Sequence, residues 1–198
     1  MADLRPGFDS LMQCLDAPMA IVTTAVGDER AGCLVGFHAQ SSIDPQRYCV
    51  WLSKANHTYR LALRSTHLGI HFLSRVDRDL AEVFGALTGD EVDKFALVDV
   101  AAGPEGIPLL TRCPNRLVVH RIALLDEGGD HVCVTTEPVA AEFGDRFVPL
   151  RLSDVAGLVP GHEAAERPEP RRGLEDPTTL ARHPKGDMRP NSDITTNL

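Results

Sequence analysis

Short turn-forming segments join apolar, β-branched runs along most of this chain. The run MAIVTTAV is followed by the turn-like GDERAG and then by CLVGF, which is a hairpin pattern. RYCVWLS, LGIHFLS and FVPLRLSDV are predicted as further strands, and GGD joins two more within LVVHRIALLDEGGDHVCVTTEPVAAE. Because hairpins link neighbouring strands, the sheet is predicted to be mostly antiparallel. Six or seven such strands with few helices favour a closed barrel, which leaves no exposed edge.

Three segments have helical patterns instead. Residues 8–16 carry apolar side chains at helical spacing and predict a short amphipathic helix. KANHTYRLALRST predicts a second helix, with Asn56 or Thr58 as its N-cap. DRDLAEVFGALTG predicts a third, with Gly89 just past its end. These helices do not alternate with the strands as they would in a doubly wound α/β fold.

Composition divides the 198 residues into two parts. We expect a single globular domain over residues 1–162. Residues 163–198 are rich in proline, arginine and acidic residues and poor in large apolar ones. That composition favours a disordered tail, and the alternative is an arm that lies across a partner subunit.

The formal net charge of −8 argues against a nucleic-acid binder or a protein of anionic membrane surfaces. No apolar run approaches the length of a membrane span, and the opening MADLRPGFDS does not resemble a signal peptide. The expectation is a cytoplasmic protein.

The common catalytic motifs are absent from the sequence: there is no GxSxG, HExxH, GxxxxGK[ST] or GxGxxG pattern. The histidines are scattered, and no metal site is predicted. The five cysteines include no CxxC pair, which favours reduced thiols over metal or redox chemistry. A protein without its own nucleophile or metal often relies on a bound cofactor.

Three polar segments could hold a cofactor. Gln40, Ser41 and Ser42 follow a strand, and their small or polar groups suit either a plain turn or the wall of a pocket. The segment SKANHTYR is either an ordinary capped helix start or a phosphate site. Its donors would be the side chains of Ser53, Lys54, Asn56 and Thr58. In the third segment, His131 follows a tight turn and either packs locally or points into a cleft.

Together these segments resemble the flavin reductase family. The resemblance lies in IVTT, AGCLVGFHAQSSIDP, VWLSKANHTYR, DLAEVFG, DKF, GIPLL and GDHVCVTTEPVAAE, which follow one another in the family's order over roughly residues 10–160. It implies a mainly β fold, an antiparallel split β-barrel with Greek-key connections and a few flanking helices. It also implies FMN, or FAD, bound at a homodimer interface, with NADH or NADPH as hydride donor.

The resemblance also implies roles for single residues. Gln40, Ser41 and Ser42 are expected along the isoalloxazine ring and ribityl chain, and His131 on the nicotinamide side. The phosphate is expected among Ser53, Lys54, Asn56 and Thr58. Two further flavin contacts are expected from the DKF segment, Lys94 and Phe95.

Two departures from the family pattern affect the phosphate and turn predictions. The segment Ser42–Gln46 lacks the second proline that the family's S-x-D-P-P pattern has, and SKANHT has no arginine where many relatives do. The implied function is a reductase component that supplies reduced FMN to a monooxygenase. The alternatives are a non-enzymatic FMN-binding protein and another flavin- or deazaflavin-dependent oxidoreductase on the same barrel.

Overall fold

The computed structural model describes residues 4–159 and residue 161 of the chain. The strands are β1 Ala20–Val26, β2 Glu29–Val35, β3 His38–Ser42, β4 Arg47–Ser53, β5 His67–Phe72, β6 Val100–Ala102, β7 Pro108–Leu110, β8 Arg116–Leu125 and β9 His131–Glu142. The helices are α1 Arg5–Leu15, α2 His57–Ala62 and α3 Arg78–Ala86. The predicted tail over residues 163–198 lies outside the described residues.

Seven strands form one antiparallel sheet in the order β2-β1-β5-β8-β9-β4-β3, and β6 pairs with β7 separately. β2 and β3 are the two edges, yet only Gly36 and Phe37 connect them. In a flat sheet of this size the edges would lie about 29 Å apart, at about 4.8 Å per strand. The three Cα steps from Val35 to His38 reach at most about 11 Å. The sheet must therefore curl until its two edges lie close together at this link.

The inner face of this curled sheet forms one apolar core. Side chains from β1, β2, β4, β5, β8 and β9 and from α2 pack together in it. Its members include Val22, Val50, Ile70 and Val134, all with no exposed surface. The inward-facing residues alternate with outward-facing ones along each strand, which accounts for the period-two pattern of the sequence.

A second core lies on the outer face of β1. Ile21 packs there against Leu80 and Phe84 of α3, and against Leu150 and Val155 near the end of the described chain. β1 is therefore covered on both faces, and its residues form an unbroken apolar and threonine-rich run. α1 differs from the other helices, because none of its residues is buried.

The predicted mainly β, antiparallel split barrel with a few flanking helices is confirmed. The predicted last strand, FVPLRLSDV, is wrong: this segment makes only isolated bridges, Pro149 with Ser74 and Arg151 with Pro18, and then a 3-10 turn over Leu152–Val155. A proline lacks the amide hydrogen that a regular ladder needs, so Pro149 limits pairing at this point.

The imidazole of His71 on β5 links β1 to β7. The Leu110 amide donates to Nε2 at 3.1 Å, and Nδ1 lies 3.2 Å from the Ile21 carbonyl. Because an amide can only donate, Nε2 is the acceptor and Nδ1 carries the proton, so both contacts require the neutral ring. Burial lowers the pKa of His71 from 6.5 to about 4.

This arrangement predicts an acid-sensitive stability. Below pH 6.5 His71 binds a proton in the unfolded chain, whereas in the folded protein it stays neutral until about pH 4. The free energy of unfolding therefore falls as the pH drops from 6.5 to about 4. Urea unfolding should show that the free energy of unfolding decreases between about pH 7 and about pH 4.5. This decrease should be about 2 kcal/mol larger in the wild type than in His71→Gln. Glutamine can accept from Leu110 and donate to Ile21 without titrating. Equal losses would contradict the assignment.

Candidate functional site

One end of the β4–β9 pair brings together polar residues that are distant in sequence. Ser53 ends β4 directly opposite His131, which begins β9. The Lys54 amide donates to the Asp130 carbonyl at 2.9 Å, so the pairing continues into the adjoining loops. The residues predicted for a phosphate and for a nicotinamide, Ser53, Lys54 and His131, therefore lie at the same end of the sheet.

Phe37 also lies at this end and was not among the residues predicted for the site. Its side chain is 59% exposed, and its ring meets the His131 ring edge-to-face with centroids 5.2 Å apart. The Trp51 amide donates to the Phe37 carbonyl at 2.9 Å, which fixes the link between β2 and β3 against β4. An exposed aromatic face beside an imidazole suits a planar ligand. The sequence signal is weak, because single exposed phenylalanines are common on protein surfaces.

The orientation of His131 depends on its neighbour. Its Nδ1 lies 3.0 Å from Oδ1 of Asp130. A carboxylate accepts hydrogen bonds, so Nδ1 carries a proton, and in the neutral form of the ring Nε2 is the acceptor. His131 is half-buried, and its free nitrogen is available to an amide or hydroxyl donor of a ligand.

In the turn after β4, the side chains of Ser53 and Asn56 are available to a ligand, whereas the side chain of Lys54 is bound to an acidic residue. The Asn56 amide donates to the Ser53 carbonyl at 3.0 Å, and the Asn56 side chain makes no capping bond to α2. Nζ of Lys54 donates to Oδ1 of Asp126 at 2.8 Å. A phosphate at this turn would share Lys54 with Asp126 or displace it.

Thr58 faces the interior. It is 2% exposed, and its hydroxyl lies near the buried thiol of Cys33 on β2. Burial raises the pKa of Cys33 more than the Thr58 hydroxyl lowers it, so the thiol stays protonated. The structure thus places Thr58 beneath the turn and away from the exposed groups of Ser53 and Asn56.

The three predicted wall residues lie at the other end of the β3–β4 pair. Gln40 pairs with Tyr48, five residues before Ser53, which is about 17 Å along the strand. A bulge interrupts the register between Gln40 and Ser42, and Nε2 of Gln40 donates to the Ser42 carbonyl at 3.2 Å. The wall and the turn therefore occupy opposite ends of one edge of the barrel, and His131 lies with the turn.

Lys94 and Phe95 form a third group in the interior. Nζ of Lys94 donates to the carbonyls of Gly32 at 3.1 Å and Phe84 at 3.2 Å. Burial lowers the pKa of Lys94. The Phe95 ring packs against Phe84 with centroids 5.6 Å apart, and the Arg30 guanidinium lies over it. The structure does not bring these two residues to Gln40 or to His131.

A cleft of about 400 Å³ opens beside this third group. It lies between the start of β2, the start of α2 and the loop before Lys94. His57 and Asp90 line it, and Nδ1 of His57 lies within hydrogen-bond distance of Oδ1 of Asp90, at 3.1 Å. Because His57 directly follows Asn56, the cleft connects the turn after β4 with the DKF segment.

Within residues 4–159 and 161, no three histidine, cysteine or acidic side chains are grouped as metal ligands would be. None of the helices in this part of the chain is long and apolar enough to cross a membrane.

The family model described as "Flavin reductase like domain" matches residues 12–152, a span that includes all three groups. The chain belongs to the flavin reductase like domain family. A relative, the stachydrine N-demethylase reductase subunit Stc3 of Rhizobium meliloti (strain 1021), is 30% identical to this chain over 129 residues. That match covers 62% of this chain but only 54% of the relative's length.

Solved structures establish the same fold. The NADH:FAD oxidoreductase SgcE6 of Streptomyces globisporus aligns with TM-score 0.65 at 21% identity, over 75% of this chain and 89% of the relative. The FMN-binding protein of Thermus thermophilus aligns with TM-score 0.59 at 23% identity, over 63% and 69%. This flavin reductase like domain thus has the same barrel fold as proteins to which its sequence identity is low.

For this flavin reductase like domain, the buried lysine predicts a stability effect. Lys94→Met removes the donor of the Gly32 and Phe84 carbonyls, and should lower the free energy of unfolding by about 2 to 3 kcal/mol. Urea unfolding monitored by circular dichroism measures it. The control is Arg75→Met, an exposed residue that should change stability by less than about 1 kcal/mol. Similar losses for both variants would show that the lysine bonds contribute little.

Proposed function

We propose that this chain is a flavin reductase that binds FMN and transfers a hydride to it from NADH or NADPH. The family match over residues 12–152 carries the proposal. It also supports residues 1–162 as the flavin-binding domain. FAD is the alternative flavin, and the assay below compares the two.

The residues present suit a flavin mononucleotide. Ser53 and Asn56 offer polar groups at a turn, Lys54 offers a cation, and Phe37 offers an exposed aromatic face. About 17 Å away along the same edge, Gln40, Ser41 and Ser42 offer small and polar groups. An extended ligand with a ring at one end and a phosphate at the other can use both ends.

The protein contributes binding and orientation. When bound, FMN supplies the redox chemistry by accepting a hydride from the reduced nicotinamide. The aromatic face of Phe37 and the imidazole of His131 hold a planar group and restrict its orientation, and such restriction is the main source of rate enhancement in a transfer between two rings. Nε2 of His131 accepts from the carboxamide of the nicotinamide, so His131 is a positioning residue rather than an acid.

We further propose a homodimer, supported by the uncovered face of α1. This helix has no buried residue, and its apolar side chains face outward: Phe8 is 60% exposed, Leu11 is 64% exposed and Leu15 is 70% exposed. Burial of these side chains against a second copy would remove them from water.

A partner oxygenase is part of the proposal as well. The R. meliloti relative is named as the reductase subunit of a demethylase. A fold relative from Mycobacterium thermoresistibile, with TM-score 0.65 and 21% identity, is a nitrilotriacetate monooxygenase component B. These names support a reductase that hands reduced flavin to a separate enzyme.

The activity is tested by adding NADH or NADPH to the purified protein with excess FMN or FAD under air and following absorbance of the reduced nicotinamide. Rapid consumption with either donor supports the reductase. Bound flavin without turnover would instead identify a flavin-binding protein, and the absence of any flavin affinity would overturn the proposal.

The proposed role of His131 predicts a specific kinetic change. His131→Ala should raise the Michaelis constant for the reduced nicotinamide about tenfold, while kcat changes little, because the lost hydrogen bond holds the nicotinamide equally in the ground state and the transition state and Phe37 still orients the ring. The matched control is His120→Ala, a half-buried histidine on β8 whose Nδ1 lies 3.3 Å from Oε1 of Glu137. An unchanged Michaelis constant in His131→Ala would show that the nicotinamide does not use this residue.

The proposed wall predicts a binding change. Ser42→Leu places a bulky side chain at the bulge and should weaken FMN binding about tenfold or more, which is about 1.4 kcal/mol. Flavin fluorescence quenching measures the affinity, and circular dichroism shows whether the barrel remains folded. Gln46→Leu, on the exposed turn nearby, is the control and should bind FMN as the wild type does.

A further inference from the structure

Two cysteines lie side by side on the outer face of the sheet. Val50 and Val134 point into the apolar core, so their neighbours Cys49 and Cys133 point to the opposite face. Cys49 is 6% exposed, and Cys133 is half-buried. The two therefore share a face that is partly open to solvent.

The strand register brings these thiols together. Cys49 pairs with Thr135, and Cys133 is two residues before Thr135 on the same strand, so the cysteines are diagonal neighbours. The bond from the Lys54 amide to the Asp130 carbonyl makes Ser53–His131 a non-hydrogen-bonded pair. Pairs alternate along the ladder, so Cys49–Thr135 is also non-hydrogen-bonded, the type in which side chains approach more closely.

The contacts of Cys49 connect it to β3 as well as to β9. Its thiol donates to Oγ of Ser41 at 3.2 Å and lies 3.7 Å from Oγ1 of Thr135. The Cys133 thiol is near enough to that of Cys49 for Cys49 to affect the ionisation of Cys133. Cys49 thus sits between a second thiol and Ser41, one of the residues proposed for the flavin wall.

We propose that Cys49 and Cys133 are a site of reversible oxidation, closing to an intramolecular disulfide when the protein meets hydrogen peroxide. The Cys133 thiolate attacks the peroxide, which yields a sulfenic acid on Cys133 and hydroxide. The Cys49 thiol then attacks the Cys133 sulfur, and the sulfenic oxygen leaves as water. Two thiols and one peroxide become one disulfide and two waters.

Geometry and acidity set the properties of this bond. Diagonal strand neighbours have Cα atoms about 7 to 8 Å apart, beyond the usual limit of about 6.8 Å for a disulfide. Closure therefore requires β4 and β9 to move together, and the strained bond is one that thiols reduce easily. Burial, and after it the neighbouring Cys49, raise the pKa of Cys133. Because the thiolate is the nucleophile, oxidation should be slow at neutral pH and faster under alkaline conditions.

Oxidation has a consequence for the flavin site. Closing the disulfide takes the Cys49 sulfur away from Oγ of Ser41 and alters the wall of β3. Hydrogen peroxide is the product when dioxygen oxidises a free reduced flavin, so an uncoupled reductase generates the oxidant. This consequence rests on the proposed function, whereas the disulfide itself does not.

Peptide mapping tests the disulfide directly. Trypsin places Cys49 in the peptide 48–54 and Cys133 in the peptide 122–146, with one cysteine in each. The full chain is treated with hydrogen peroxide at mildly alkaline pH, its remaining thiols are alkylated under denaturing conditions, and the digest is analysed by mass spectrometry. The two peptides should appear linked, with the loss of two hydrogens, and dithiothreitol should separate them.

Cys14→Ser is the control, because Cys14 is exposed on α1 and would account for bonds between chains. The linked peptides should persist in Cys14→Ser and disappear in Cys133→Ser. Recovery of both peptides unlinked, or of Cys133 as a sulfinic acid with Cys49 alkylated, would overturn the proposal.

Flavin titrations separate this inference from the proposed function. The oxidised protein should bind FMN at least about threefold more weakly than the reduced protein, and reduction should restore binding. Equal affinities would overturn the connection to the flavin wall. If the reduced protein binds no flavin at all, the proposed function fails, while the peptide map still decides whether the disulfide forms.

Discussion

The two-residue link between β2 and β3 is the constraint on which the rest of the structure depends. Gly36 and Phe37 connect strands at the opposite edges of a seven-stranded sheet, and so short a link forces the edges together. The same closure places α2 against β1, β2 and β4 and fills the interior. It also presents Phe37 to His131, so the geometry that closes the barrel builds one end of the candidate site.

Much of the fold could be predicted, because its signals are local. The hairpin residues and the alternating apolar pattern of LVVHRIALL and HVCVTTEPV depend on neighbouring residues only, and both became paired strands. The strand predicted for FVPLRLSDV was wrong for the opposite reason. Its β-branched and apolar residues match a strand pattern, but whether a segment joins a sheet depends on partners that local pattern does not specify.

The candidate site was only partly predictable. His131 could be located because it follows a tight turn, and the structure places it opposite Ser53. That Lys54 pairs with Asp126, more than 70 positions later, depends on which strands meet. From its position at the start of a helix, Thr58 was predicted to be an exposed donor. However, a helix of six residues packed inside a curled sheet has little outer surface, so the Thr58 hydroxyl lies near Cys33 instead.

The pairing of Ser53 with His131 has a consequence for how the protein is made. Nearly 80 residues separate the two partners, including β5, α3 and β8. Closing so long a loop carries an entropic cost that local hairpins such as β1–β2 avoid. On a ribosome, the N-terminal hairpin can form early, whereas the end of the barrel that bears Ser53, Phe37 and His131 has to wait until β9 has been synthesised. The region proposed to bind a ligand is therefore among the last parts of the domain to be assembled.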